Sequence, residues 1–283
     1  MSKKRFWKGF PSWEAADVAW NEGAKEQEKT HPLKVLKTLP LMPAMTKDTA
    51  RFLKWKSLWW MITKDKGWQV TKHIIKKPFF YFTKYITSIV KRKSYVRDGD
   101  FFLYGVPDVA SFEMLLAKKE ALLILGFSYC EKPHECPSKR FTPDCIHDPE
   151  HPVCRQCFIG KAVNALPEER SIPLFIPTIH YISKKVFEIM EAHPEKEVLF
   201  IITACEMTLE MFGDWGNLSG VRGIVVRLDG RICNTMKAFE LSENGIKPGL
   251  TVVLESTQER ILQLLKKWSS LKDVKDELGA RSL

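Results

Sequence analysis

Five cysteines, Cys130, Cys136, Cys145, Cys154 and Cys157, fall within 28 residues that also contain Pro133, Pro137, Pro143, Pro149 and Pro152. Proline removes a backbone donor and fixes φ, so neither a long helix nor a central strand can run through such a stretch. The segment is therefore expected to be a loop. A proline-broken loop has no apolar core in which to hide five thiols, whereas a metal stabilises thiolates at neutral pH, so metal binding is the expectation.

The spacing is C-x5-C-x8-C-x8-C-x2-C, with His134, His147 and His151 among the cysteines. Structural zinc sites commonly use two CxxC knuckles, and only Cys154 with Cys157 forms one here. Iron–sulfur clusters accept less regular spacing, although the ferredoxin run C-x2-C-x2-C-x3-C is also missing. The expectation is an iron–sulfur cluster, [4Fe–4S] in type, with zinc as the alternative. The total of seven cysteines is odd, and no segment approaches the roughly 20 apolar residues needed to span a bilayer. A reducing, cytoplasmic setting is expected, in which thiols serve metals or catalysis in preference to disulfides.

From residue 98 onward, short apolar runs alternate with helical patterns. Strands are expected at 101–104, 121–127, 173–176, 198–204, 223–228 and 250–254, and helices at 107–119, 183–192, 207–212 and 257–268. Nearly continuous β-rich runs separated by helices indicate an α/β fold with a mainly parallel or mixed sheet covered by helices. Cys205 follows the run VLFIITA, Cys233 follows GIVVRL, and Cys130 follows ALLILGF. In an open α/β sheet, ligands bind outside the carboxyl ends of the strands, so all seven cysteines are candidate cofactor and metal ligands, with Cys205 and Cys233 near the loop. Cys205 opens a helix, which also makes it a candidate nucleophile if a base such as His180 lies within reach.

The segments YVRDGDFFLYGVP, CEKPHECPSKRFTPDC, CRQCFIGKAV, ITACEMTLEMF and RLDGRICN together resemble a cysteine-rich prokaryotic family, domain of unknown function 116. The resemblance covers roughly residues 95–268. It implies that the seven cysteines are shared by that family in a metal-binding role, and it brings no reaction with it.

Residues 1–97 differ in kind. They hold 22 Lys or Arg against 7 Asp or Glu, and seven of the nine tryptophans. The expected organisation is a basic, aromatic-rich helical extension over 1–97, with a helix at 12–27, and an α/β cysteine-rich domain over 98–283. Within the extension, residues 51–93 place aromatic and apolar residues among lysines at helical spacing. That pattern suits an anionic membrane surface or an acidic partner protein, and nucleic acid less well. Dinucleotide, P-loop, zincin and α/β-hydrolase signatures are missing, so neither a reaction nor a redox partner can be read off. Asp214 and Asn217, in GDWGN, and His180 are further polar candidates for the sheet edge. Two functions result: an iron–sulfur protein of redox or accessory type, or a zinc-stabilised binding module that docks through its basic helices.

Overall fold

The computed structural model describes residues 47–90, 95–233, 235–247 and 249–280, with Val18, Glu22 and Lys29 as isolated helical positions ahead of them. The rest of the helix expected at 12–27 lies outside the described residues. Three helices open the described chain: α1 (Lys47–Thr63), α2 (Thr71–Lys76) and α3 (Pro78–Val90). There follow β1 (Val96–Asp98), β2 (Phe101–Tyr104), α4 (Val109–Leu116), β3 (Ala121–Ser128), the cysteine loop, α5 (Phe158–Asn164) and β4 (Ser171–Ile176). The chain continues through α6 (Ile179–Ala192), β5 (Glu197–Ala204), α7 (Glu206–Ser219), β6 (Arg222–Arg227), β7 (Asp229–Gly230), α8 (Met236–Glu243), β8 (Thr251–Val252) and α9 (Glu255–Ala280).

Six strands form one mixed sheet in the order β1-β2-β6-β5-β3-β4. β6, β5, β3 and β4 are parallel, and β2 joins β6 antiparallel. The expected α/β sheet is thus present, with its antiparallel part at one edge. Strand β3 explains why the runs read as continuously apolar. Leu123, Leu125 and Phe127 pack on one face with Phe112, Ile159 and Leu265, while Leu122 and Ile124 pack on the other with Ile182 and Leu209. Successive side chains alternate between faces, so a sheet covered on both sides needs apolar residues at every position.

The basic helices belong to the same packed body. Leu53, Trp60, Met61 and Tyr81 share a core with Met207, Met211 and Phe212 of α7 and Phe239 of α8. Polar ties reinforce it: Lys54 Nζ lies 2.9 Å from Asp214 Oδ2, Ser88 Oγ donates to Asp214 Oδ1 at 2.6 Å, and Asn217 Nδ2 donates to Ser88 Oγ at 2.9 Å. Helix α7 runs straight through GDWGN and ends only at Gly220, whose φ of +76° is the left-handed conformation favoured at helix C-termini. Packing against α1 and α3 outweighs the helix penalty of Gly213 and Gly216, which is about 1 kcal/mol per residue.

Candidate metal centre and sheet-edge thiols

The loop after β3 is organised around a buried lysine. Lys132 is 1% exposed, and its Nζ donates to the carbonyls of Lys139 (3.2 Å), Thr142 (2.9 Å) and Asp144 (2.6 Å). Without regular secondary structure, these carbonyls have no ladder partners, and one ammonium with three donors serves all of them. The loop folds back over it through left-handed residues at Lys139 and His147.

This scaffold brings Cys136, Cys145, Cys154 and Cys157 around one small recess of about 10 Å³, together with Lys132 and His147. Cys157 occupies the N-cap position of α5, and the backbone amides of Ile159 and Gly160 act to lower its thiol pKa. The backbone amides of His147 and Asp148 act in the same direction on Cys145 and Cys154 respectively. Burial pushes the thiols of Cys145, Cys154 and Cys157 up, Cys145 to about 11, against the effect of these amides. Gly160 is needed for the close approach of α5: a β-carbon there would stand 2.3 Å from the carbonyl oxygen of Cys154. The loop histidines serve its turns, with His147 Nδ1 3.0 Å from the Cys145 carbonyl and His151 Nδ1 accepting the Val153 N–H. Among the described residues, no three Cys, His, Asp or Glu side chains are placed to hold a single metal ion.

The other three cysteines form a separate group. Strands β6, β5 and β3 are neighbours in the sheet, and their carboxyl ends deliver Cys233, Cys205 and Cys130 respectively. Cys205 caps α7, and its sulfur lies 3.2 Å from Thr208 Oγ1. A hydrogen bond from Cys233 holds Cys205 well below the ordinary thiol range, at about 5, with Lys247 and Thr208 acting in the same direction against burial. The same bond, with burial, pushes Cys233 up. Lys247 is 1% exposed and donates to Cys233 Sγ at 3.4 Å; the neighbouring thiols hold its pKa up against burial. Burial raises Cys130, and it raises the carboxyls of Glu131 and Glu243 to about 8 each. Arg140 clamps the two regions, donating to the carbonyls of Cys130 (3.0 Å) and Gly249 (2.8 Å).

The polar candidates go elsewhere. Asp214 and Asn217 bind α1 and α3 instead of facing the sheet edge, because α7 continues where a loop was expected. His180 belongs to the first turn of α6, where burial pushes its pKa down against the Asp65 carboxylate and the Met61 backbone, and its Nε2 is buried without a partner. None of its interactions involves Cys205. Lys132, Arg140, Glu131, Glu243 and Lys247 escaped the sequence reading, since buried charges look like surface charges in a sequence. Thr208 did carry a signal, because Cys-x-x-Thr is the spacing at which a residue at N3 meets the cap.

No protein-family model, curated protein or solved structure matches this chain.

Proposed function

We propose that the chain is an iron–sulfur protein of redox or accessory type, with a [4Fe–4S] cluster held by Cys136, Cys145, Cys154 and Cys157. The observation that carries this reading is the convergence of Cys136, Cys145, Cys154 and Cys157 on one recess that Lys132 also lines. Burial raises three of the four thiols, so they become thiolates there only with a cation to hold them, and iron supplies it. Lys132 places a positive charge beside sulfurs that carry negative charge once ligated. One tetrahedral zinc ion draws its thiolates to within about 3.8 Å of one another. A cluster spreads its ligands around its own core. A place in the family of domain of unknown function 116 is part of the same proposal.

Anaerobic purification with iron, zinc and acid-labile sulfide analysis tests this reading. Iron and sulfide in a brown protein are expected, and both should fall when Cys145 or Cys157 becomes serine. Stoichiometric zinc without iron would refute the cluster and leave the zinc-stabilised binding module.

A second observation favours docking of this protein on an anionic membrane surface. Helix α1 exposes Trp55, Trp59 and Ile62 at i, i+4, i+7, and α3 exposes Phe79, Phe82 and Ile86 at i, i+3, i+7, with Phe79 85% exposed. Residues 51–93 contain twelve Lys or Arg and one acid, Asp65. Apolar stripes flanked by cations suit the headgroup boundary. No helix among the described residues is long and apolar enough to cross a membrane. Co-sedimentation with phosphatidylserine vesicles is expected, lost in pure phosphatidylcholine and after Phe79→Ser with Phe82→Ser. Binding that ignores lipid charge, or that survives the double substitution, would overturn it in favour of an acidic partner protein or nucleic acid.

A further inference from the structure

The thiols left outside the loop site stand at one end of a cavity of about 200 Å³. Its walls between the sheet and α6 and α7 are apolar, among them Ile182, Phe200, Ile202 and Leu209. Met61 of α1 and Val70, at the start of α2, also line it, so the space reaches α1, one of the two helices that expose an aromatic stripe. The lining turns polar at the sheet edge, where Cys205, Cys233, Thr208, Glu243 and Lys247 meet.

We propose that this cavity takes the hydrocarbon chain of a fatty acyl thioester, and that Cys205 accepts the acyl group. The proposal is independent of the loop cluster, since none of the four loop cysteines lines the cavity. The walls define the chain. An apolar space between packed layers excludes charged or sugar-like bodies and favours alkyl groups, and about 200 Å³ admits an alkyl chain longer than an acetyl group. The polar end defines the head. Cys205 caps a fourteen-residue helix, with Thr208 Oγ1 at 3.2 Å and the Lys247 ammonium within its thiol group, an arrangement that keeps a sulfur anionic and nucleophilic. A free carboxylate would meet a thiolate there and be repelled, whereas an acyl carbonyl is an electrophile.

The step balances without an oxidant. The Cys205 Sγ electron pair bonds to the carbonyl carbon, and the resulting oxyanion forms near the positive charge of Lys247 and the first turn of α7. The carbonyl reforms as the bond to the leaving sulfur breaks. That sulfur departs with its electron pair and takes a proton from water, while the acyl group remains on Cys205 as a thioester.

Intact-mass analysis of the full chain, incubated separately with acetyl and octanoyl thioesters of a small soluble thiol, tests the proposal. One octanoyl group is expected, mapped to Cys205, removable by hydroxylamine and lost in Cys205→Ser, with acetyl transfer much slower. In the unaltered protein, pre-incubation with octanol should cause loss of octanoyl transfer by occupying the cavity, a result that needs no variant to fold. Leu209→Trp, which fills the cavity, should cause the same loss while leaving Cys205 open to iodoacetamide. Equal rates for acetyl and octanoyl, label spread over several cysteines, or indifference to octanol would overturn it. Iron and sulfide content, measured on the same samples, reports separately on the loop cluster.

Discussion

Replacing Lys132 with methionine keeps the apolar stem but removes the ammonium around which the cysteine loop is built. The carbonyls of Lys139, Thr142 and Asp144 then lose their shared donor at 3.2, 2.9 and 2.6 Å. Thr142 Oγ1 still donates to the Lys139 and Asp144 carbonyls, so the loss is about that of the Thr142 acceptor, about 1–3 kcal/mol, plus weakened bonds at the other two. The contact of Nζ with the Phe175 ring, 5.6 Å to the centroid, adds about 0.5–1 kcal/mol. Two terms oppose these losses: burying an ammonium no longer has to be offset, and carbonyls near the surface can recruit water. A net loss of about 2–4 kcal/mol is expected, concentrated in the loop. Urea unfolding of the metal-free protein gives the total, and hydrogen exchange across residues 133–147 gives its location. Iron loading should fall in parallel, because Lys132 also offsets the charge of the sulfurs around it. A change below about 0.5 kcal/mol, with unaltered exchange in the loop, would refute the reasoning, since surface substitutions typically stay within that range.

Gly160→Ala places a β-carbon 2.3 Å from the Cys154 carbonyl oxygen, so α5 must retreat from the loop. A loss of about 1–3 kcal/mol and weaker iron retention are expected in urea unfolding and chelator challenge. Glu243, raised to about 8 by burial, folds most favourably as the neutral acid. Its contribution is fully present below its unfolded value near 4.5 and is lost as pH rises through about 8, so Glu243→Gln should flatten the decline of stability over that window in pH-dependent unfolding. Cys205 has the opposite sign, and its depressed pKa contributes stability above the unfolded thiol value that is lost as pH falls through about 5. Iodoacetamide should label it rapidly at neutral pH, slow as pH drops through about 5, and show a higher midpoint in Lys247→Met; a midpoint near 9 in the unaltered protein would contradict the arrangement.

Much of the sheet was legible because its strands are buried on both faces. ALLILGF has no polar side chain and VLFIITA only Thr203, and their observed bounds differ from the expected ones by one residue. The same logic failed where tertiary contacts decide. GDWGN has turn composition, yet α7 runs through it because Asp214 and Asn217 find Lys54 and Ser88 on α1 and α3. Helix α5 was missed because only seven residues, FIGKAVN, follow the last loop cysteine before the chain turns, too few to show a period.

The sequence by itself determined the α/β alternation, the density of thiols between Cys130 and Cys157, and the delivery of Cys130, Cys205 and Cys233 after apolar strands, because each is a local property of composition or period. Only the tertiary structure decided that seven cysteines divide into four and three. Cys130 is six residues from Cys136, yet it joins Cys205 and Cys233, because β3 lies beside β5 and β5 beside β6, and strand order is set by packing between distant segments. The same long-range packing buries Lys132 in the loop and Lys247 among the sheet-edge thiols, where the low dielectric makes each charge count for far more than it would at the surface.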